Sequence, residues 1–365
     1  MNAAEYDTPA LMLDMDALER NIKRMADYFR GKKANLRPHV KPHKSPLIAH
    51  KQIAAGAKGI TCAKLGEAEV MARAGIIDIL VANEVVGANK LSRLAKLARY
   101  CDIIVAVDNV KNAKQISKFA VQERSTVHVL VDLNLGGETH LEGILNRCGV
   151  TPGTPAVALA NEIAKLKNVR FKGLMGYEGG LRQFPSFEQK KAAATKALNL
   201  LVGTRDLIQD SGLQVDIVSC GGTMSYNIAG EFPGVTEVQA GGYVLMDESY
   251  RRAGLDFDIA ATVLTSVAST PRPEKLIVDA GLKAITTDHG LPVVKDSPRL
   301  EVIAVNSEHG HIHINEPGIA IEIGDKLELI PAYVDTTVAL YNEYVMTRGK
   351  EVEGTLEVAA RGKIQ

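Results

Sequence analysis

The sequence lacks an excess of charge, a cysteine framework and long apolar runs, and each absence argues against a class of protein. Its 365 residues carry 43 Lys and Arg against 43 Asp and Glu, so no global field attracts nucleic acid or an anionic membrane. Its four cysteines are far apart without paired spacing, which argues against a zinc ribbon or a disulfide framework. No apolar run approaches the ~18 residues of a membrane span, and the N-terminus lacks signal-peptide zones. These absences predict a cytoplasmic protein without nucleic-acid or membrane partners.

Short apolar runs alternate with amphipathic stretches from about residue 16 to residue 250. Near-continuous apolar strands between helices predict a parallel sheet that is buried on both faces. Eight such units favour a closed (β/α)8 TIM-like barrel over an open doubly wound sheet. The predicted strands are Leu36–Lys41, Gly59–Cys62, Ile79–Asn83, Ile103–Val107, Val127–Leu133, Phe171–Tyr177, Val215–Ser219 and Glu237–Ala240.

The pattern changes after about residue 255, where short strand-like runs are separated by Pro and Gly turns. This predicts a mostly β C-terminal domain in an α/β protein. The opening segment Thr8–Leu13 is also strand-like and can pair with that second domain. We therefore predict a barrel over residues 14–254, and a β domain formed by residues 1–13 and 255–365.

The densest chemical cluster is the segment Arg37–Lys44, at the end of the first predicted strand. Catalytic groups of such barrels sit at the C-terminal ends of strands. Strand alternation places Arg37, His39 and Lys41 on one face, directed toward the barrel lumen. Neighbouring cations would depress the pKa of a lysine there, which leaves the neutral amine that a Schiff base with an aldehyde requires. The alternative is a solvated basic loop.

Two glycine pairs follow the seventh and eighth predicted strands. Gly221 and Gly222 precede Thr223, and Gly241 and Gly242 precede Tyr243. One pair alone is explained by a tight turn, but loops after strands seven and eight commonly form a phosphate site in these barrels. A phosphate cradle together with an aldehyde-reactive lysine indicates pyridoxal 5'-phosphate (PLP).

Polar residues elsewhere have two interpretations. Four of them follow predicted strands, where a solvated loop residue is more common than a residue with a chemical role: Asn83, Glu84, Asp108 and Glu178. The segment Glu308–His313 resembles a metal cluster, although alternating histidines on an edge strand are as often plain exposed residues.

Taken in order, these segments resemble the D-threonine aldolase and D-serine dehydratase family, PLP enzymes of the alanine-racemase-like fold. The resemblance covers nearly the whole chain. The segments that carry it are Asp7–Pro9, Arg37–Lys41, Asn83–Val85, Arg147–Val150, Gly221–Thr223, Gln239–Gly241, Val278–Lys283, Glu308–Gly310, Pro331–Val338 and Ala360–Gly362.

The resemblance implies a barrel plus a β domain, and a homodimer whose active sites lie near the subunit interface. It implies that Lys41, rather than Lys44, binds PLP covalently, and that the loop of residues 221–223 holds the phosphate. It also implies that Arg147 and Tyr177 lie near the cofactor. We predict His39 as a further catalytic residue.

The chain departs from the family at two positions. The family's glutamine after the second strand is replaced by Ala63. Its aldolases bind a divalent metal (Mn, Mg or Zn) through His-x-Asp and its dehydratases through His-x-Cys, whereas this chain has Tyr333 and Asp335 there. Either His309 rebuilds a metal site with Asp335, or Tyr333 and His309 do acid–base work without a metal. The sequence leaves both open.

The leading functional hypothesis is a lyase for a small-molecule amino-acid substrate. It cleaves a D-3-hydroxy amino acid, D-threonine-like, to glycine and an aldehyde by a retro-aldol reaction. The alternatives are a dehydratase of D-serine or 3-hydroxyaspartate type and an amino-acid racemase. A non-enzymatic PLP carrier is a further alternative, against which the complete β domain argues.

Overall fold

The computed structural model describes residues 2–136, 147–316, 318 and 320–365. Most of the stretch 134–146, to which the sequence assigns no function, lies outside them. The chain separates into two compact units. We call the unit made of Ala26–Lys41, Pro46–Gly241 and Lys363–Gln365 the barrel unit. The β unit is made of Met1–Met25, Pro42–Ser45 and Gly242–Gly362. The domain boundaries at residues 13/14 and 254/255 stay a prediction.

The described residues form seventeen strands and ten α-helices. The strands are β1 (Ala10–Asp14), β2 (Asn35–Leu36), β3 (Ile60–Cys62), β4 (Asp78–Glu84), β5 (Asp102–Val107), β6 (Val127–Leu133), β7 (Val169–Gly176), β8 (Ile217–Cys220), β9 (Glu237–Val238), β10 (Ala261–Arg272), β11 (Lys275–Val278), β12 (Val293–Val294), β13 (Leu300–Val305), β14 (Gly310–Ile314), β15 (Lys326–Ile330), β16 (Glu343–Arg348) and β17 (Glu351–Glu357). The helices are α1 (Met15–Phe29), α2 (Pro46–Ala54), α3 (Leu65–Arg73), α4 (Ala88–Leu97), α5 (Val110–Glu123), α6 (Thr154–Ala164), α7 (Phe187–Asp210), α8 (Tyr226–Ala229), α9 (Glu248–Arg252) and α10 (Val334–Val338).

The barrel unit contains an eight-stranded parallel sheet in the order β2-β9-β8-β7-β6-β5-β4-β3. The chain just after β2 closes this sheet, because it bonds to both of its ends. The His39 N–H donates to the Ala240 carbonyl (3.2 Å), and the Val40 N–H donates to the Thr61 carbonyl (2.8 Å). A strand that is bonded on both sides leaves no open edge. The predicted TIM-like barrel is therefore confirmed.

The barrel strands are apolar on both faces because helices cover their outer side. Helix α5 shows how: Ala113, Ile116 and Ala120 are buried at helical spacing, which gives it one apolar stripe. Its N-cap Asn109 accepts the Asn112 N–H at 2.9 Å, which satisfies a backbone donor that the first turn leaves open. Opposite positions on five neighbouring strands form a second buried cluster, made of Leu80, Ile104, Ala106, Leu130, Met175 and Ile217.

The β unit contains a nine-stranded sheet with the path β13-β14-β11-β10-β1-β16-β17, to which β15 and β12 add through β10. Strand β1 pairs antiparallel with β10 and parallel with β16, so the predicted pairing of the opening segment with the second domain is confirmed. The interpretation that the histidines of Glu308–His313 lie on an edge strand is wrong for His311 and His313, because β14 lies between β13 and β11. No helix in the described ranges has the length and hydropathy that crossing a membrane requires.

Candidate active site

Lys41 lies in the turn that directly follows the closing strand of the barrel and is half-buried. Its backbone N–H donates to Nδ1 of His39 at 3.3 Å. Because Nδ1 accepts this bond, a neutral His39 carries its ring proton on Nε2. Gly241 packs against the same backbone: a Cβ there would lie 2.5 Å from the His39 carbonyl oxygen. The structure thus brings together three of the predicted site residues, and only glycine permits their close approach.

Arg37 does not contribute to this group. Its side chain is 1% exposed and pairs with Glu237 through Nε (2.8 Å) and Nη2 (2.9 Å). Nη1 pairs with Asp78 at 2.5 Å. Two carboxylates therefore neutralise the guanidinium, and the expectation that Arg37 acts as a free cation on Lys41 is wrong. Sequence alternation predicted its inward direction but not its two partners.

The loop after β8 is built around a buried carboxylate, that of Glu178. Glu178 is 2% exposed and accepts the Gly221 N–H at 3.1 Å and the Ser225 hydroxyl. The Gly222 N–H donates to Ser225 Oγ at 3.2 Å. Burial raises the pKa of Glu178, while these hydrogen bonds oppose that rise. Both glycine amides are therefore bonded to side chains of this chain, Gly221 to Glu178 and Gly222 to Ser225, and these bonds fix the shape of the loop. The next residue, Thr223, is buried.

Arg147 and Tyr177 form one face at the end of β7. The Arg147 guanidinium lies over the Tyr177 ring, 5.2 Å from its centroid, which is cation–π geometry. Tyr177 is 44% exposed, and its ring lies 3.4 Å from the position that a Cβ on Gly222 would take. An exposed ring beside a glycine loop and a cation fits a flat, phosphorylated cofactor such as PLP. The amine of Lys41 in the same unit supplies the group that its aldehyde needs.

Glu84, Asp132 and Cys148 meet at the ends of β4 and β6, with ligand atoms within 4.8 Å of one another. Asp132 is 6% exposed. Burial, and next the Glu84 carboxylate, raise the pKa of Asp132 to about 8, whereas Arg147 lowers it. Burial and both carboxylates raise the pKa of the Cys148 thiol to about 12. The sequence interpretation missed Asp132, although a charged residue inside the apolar run Val127–Leu133 was a signal.

The β unit holds Tyr333 and Asp335 at the start of α10. The Tyr333 hydroxyl donates to Asp335 Oδ2 at 3.0 Å. His289 meets the Tyr333 ring edge-on, with centroids 4.7 Å apart. The backbone is fixed by Asp247, a fully buried residue whose Oδ2 accepts the Val334 N–H at 3.2 Å. Tyr333 and Asp335 therefore form one fixed polar pair.

Three other predicted residues of the β unit have surroundings of their own. His309 is exposed in the turn between β13 and β14, where its carbonyl accepts the Asn306 N–H at 2.8 Å. Tyr243 is fully buried and packs on Phe257 with centroids 5.6 Å apart. A Cβ on Gly242 would lie 2.4 Å from the Tyr250 ring. The structure gives Gly242 and Tyr243 a packing role, and their predicted contact with the cofactor stays a prediction.

Comparison with protein families defines the class to which this chain belongs. Residues 13–249 match the alanine racemase N-terminal domain, and residues 260–347 match the "Putative serine dehydratase domain". The chain therefore belongs to the alanine-racemase-like family of PLP-dependent enzymes. Within it, the D-threonine aldolase family commonly uses a divalent metal.

Relatives within that family resemble the chain over its whole length. D-threonine aldolase from Arthrobacter sp. is 37% identical over 363 residues, 98% of this chain and 94% of the relative. 3-Hydroxy-D-aspartate aldolase from Paracoccus denitrificans (strain Pd 1222) is 36% identical over 374 residues, 100% of this chain and 94% of the relative. The crystal structure of D-threonine aldolase from Filomicrobium marinum superposes with a TM-score of 0.94 at 37% identity, over 99% of this chain and 98% of that one.

Proposed function

We propose that this chain is a PLP-dependent lyase that cleaves a D-3-hydroxy amino acid, D-threonine-like, to glycine and an aldehyde. The observation that carries the proposal is the position of Lys41. It directly follows the closing strand of the barrel, bonded to His39, in a chain that matches D-threonine aldolase along 98% of its length. Asp335 supports the aldolase assignment over the dehydratase, because the resemblance places Asp there in aldolases and Cys in dehydratases.

The residues of the barrel unit would hold the cofactor in three places. The Lys41 amine would bind its aldehyde carbon, the loop of residues 221–223 its phosphate, and Tyr177 with Arg147 would flank its ring. When bound, PLP withdraws electron density from the substrate α-carbon and so weakens the bond that breaks. Glu178 supports this arrangement, because its carboxylate accepts hydrogen bonds from the Gly221 N–H and the Ser225 hydroxyl and so fixes the loop.

The chain must also move two protons. One leaves the β-hydroxyl oxygen as the Cα–Cβ bond breaks, and one returns to the α-carbon to give glycine. We assign the second transfer to Lys41 Nζ, the amine that would hold the cofactor. We assign acid–base work on the hydroxyl to Tyr333, whose phenolic proton is already shared with Asp335. His39 and His309 stay further candidates.

A matched pair of lysine variants tests the proposal. Lys41→Arg and Lys44→Arg each keep a cation, but neither arginine can form the Schiff base. We expect the native protein and Lys44→Arg to show the Schiff-base absorbance band and to release glycine and acetaldehyde from D-threonine but not from L-threonine. Lys41→Arg should lose both properties. Glycine release by Lys41→Arg, or none by the native protein, contradicts the proposal.

Dehydration is the second candidate, because residues 260–347 match a domain named for serine dehydratase. That reaction removes the α-proton and then the β-hydroxyl, and it gives a 2-oxo acid and ammonia. Racemisation gives only the other enantiomer, and a PLP carrier gives no product. Product analysis with D-threonine, D-serine and D-3-hydroxyaspartate therefore separates all four functions.

We further propose a cytoplasmic homodimer. The family resemblance supports the dimer, and four free cysteines support a reducing compartment. Light scattering coupled to gel filtration should give twice the mass of the 39.3 kDa chain. A monomer at micromolar concentration that still carries lyase activity contradicts the dimer proposal.

A further inference from the structure

We propose that the Tyr333–Asp335 hydrogen-bonded pair replaces the divalent-metal site of the family, so that this chain binds no metal there and its reaction needs none. The proposal builds on the proposed lyase function, but its central measurement is metal binding, which does not depend on activity.

The first argument is the donor set. Divalent metals in this family's His-x-Asp position use an imidazole nitrogen and a carboxylate oxygen. Here the imidazole is replaced by a phenol, whereas Zn²⁺ sites use His, Cys, Asp or Glu, and Mg²⁺ and Mn²⁺ sites use carboxylate, carbonyl or water oxygens. The Tyr333 hydroxyl also donates its proton to Asp335 Oδ2 at 3.0 Å. One of the two carboxylate oxygens of Asp335 is therefore already engaged by the Tyr333 hydroxyl.

The second argument is that Asp335 and His309 share no cluster of metal-ligand side chains in the described part of the chain. There, the single group of three His, Cys, Asp or Glu side chains with ligand atoms within 4.8 Å is Glu84, Asp132 and Cys148, in the barrel unit. Neither Asp335 nor His309 belongs to such a group. The hypothesis that His309 rebuilds a metal site with Asp335 therefore finds no support in a ligand cluster among the described residues.

His289 does not supply the missing imidazole in this arrangement. It meets Tyr333 edge-on at an interplanar angle of 82°, with ring centroids 4.7 Å apart, which is the geometry of an aromatic pair. The contact restricts the Tyr333 ring and so helps to keep its hydroxyl on Asp335.

The third argument is that the backbone would still accept a metal site. The carbonyls of Pro331 and Ala332 accept the N–H groups of Glu248 (3.0 Å) and Ser249 (3.2 Å). The Tyr333 carbonyl accepts the Thr337 hydroxyl at 3.2 Å. These bonds do not involve the Tyr333 side chain. The substitution Tyr333→His would therefore place an imidazole two residues before Asp335 on a backbone that is already fixed.

The test compares five full-length, PLP-loaded proteins: native, Tyr333→His, Tyr333→Phe, Asp335→Asn and Cys148→Ala. Each is stripped with EDTA, titrated with Mn²⁺ and followed by electron paramagnetic resonance, and retained metal is counted by mass spectrometry after gel filtration. We expect Tyr333→His to retain about one Mn²⁺ per chain and to bind it at least tenfold more tightly than the native protein, because it adds an imidazole ligand beside the Asp335 carboxylate. Native protein and Tyr333→Phe should retain none at this position.

Native protein that retains one Mn²⁺ per chain, and loses it in Asp335→Asn, overturns the proposal. A metal that is lost in Cys148→Ala but kept in Asp335→Asn lies in the barrel unit and leaves the proposal standing. Tyr333→His protein that keeps its circular dichroism and PLP absorbance but binds no Mn²⁺ also contradicts it.

Glycine release completes the test. EDTA should leave the native rate unchanged, and an EDTA-sensitive rate that Mn²⁺ restores overturns the proposal. If the native protein releases no glycine, the lyase function fails, while the binding measurements still decide the metal question.

Discussion

Replacing Asp132 by Asn should stabilise the protein progressively as the pH rises. Asp132 is 6% exposed and lies beside the Glu84 carboxylate. Its pKa rises from the ordinary value of 3.8 to about 8 in the folded state, chiefly because of burial. In the unfolded chain an aspartate ionises near pH 4. Between these values the folded protein holds a proton that the unfolded chain releases.

The sign follows from proton linkage. Where the folded state binds one more proton than the unfolded state, the free energy of unfolding falls by about 1.36 kcal/mol per pH unit. The raised pKa of Asp132 therefore makes a contribution to the free energy of unfolding that is fully present below about pH 4 and is lost as the pH rises through about 8. An asparagine has nothing to ionise. From pH 5 to pH 8, the free energy of unfolding of Asp132→Asn should therefore rise by about 4 kcal/mol relative to that of the native protein.

The assay is urea unfolding of the PLP-loaded native and variant proteins at pH 5, 6, 7 and 8, followed by far-UV circular dichroism. Asp210→Asn is the matched control, because Asp210 is exposed at the end of α7. Its difference from the native protein should not change with pH. Glu84→Gln should shorten the pH range of the Asp132 effect, since it removes the neighbouring carboxylate. A stability difference between Asp132→Asn and native protein that is constant over this range would refute the reasoning.

Further predictions concern the buried arginine, the loop after β8 and the glycine next to the lysine strand. Arg37→Leu should lower the free energy of unfolding by about 3–5 kcal/mol, because it leaves two carboxylates without their cation; a loss below about 1 kcal/mol in urea unfolding argues against a buried pair. Glu178→Gln should weaken PLP binding about tenfold, measured by absorbance titration, since the amide cannot accept both bonds as the carboxylate does; the exposed Glu188→Gln serves as control, and equal affinities contradict the anchoring role. Gly241→Ala should abolish the Schiff-base band because its Cβ would meet a carbonyl oxygen at 2.5 Å. Gly203→Ala, which meets nothing within 4 Å in the middle of a helix, should instead raise stability by about 0.5–1 kcal/mol, and a Gly241→Ala protein with normal absorbance disproves the close-approach argument.

Much of the site could be predicted because its residues occupy ends of apolar strands. Lys41 follows a strand-like run, and parallel barrels present the C-terminal ends of their strands at one face. The order of the strands in the sequence therefore predicts that Lys41 lies near His39 and Gly241. The partners of Arg37 could not be predicted in this way. Glu237 and Asp78 lie 200 and 41 residues away along the chain, and each looks like an ordinary residue at the start of a strand.

Local sequence alone determined the alternation of strands and helices, the glycines of the loops and the lysine that can bind an aldehyde, because each depends on residues within one or two turns of the chain. Tertiary structure decided which charges are neutralised, which carboxyl holds a proton and which amides are already bonded. Those properties depend on burial and on distant partners. Asp132 holds its proton chiefly because it is buried and next because it lies beside Glu84, and the Gly221 amide is bonded because Glu178 is within hydrogen-bond distance. The Tyr333–Asp335 pair depends on both sequence and tertiary structure, because the sequence sets the spacing of the two residues and the fold forms the hydrogen bond between them.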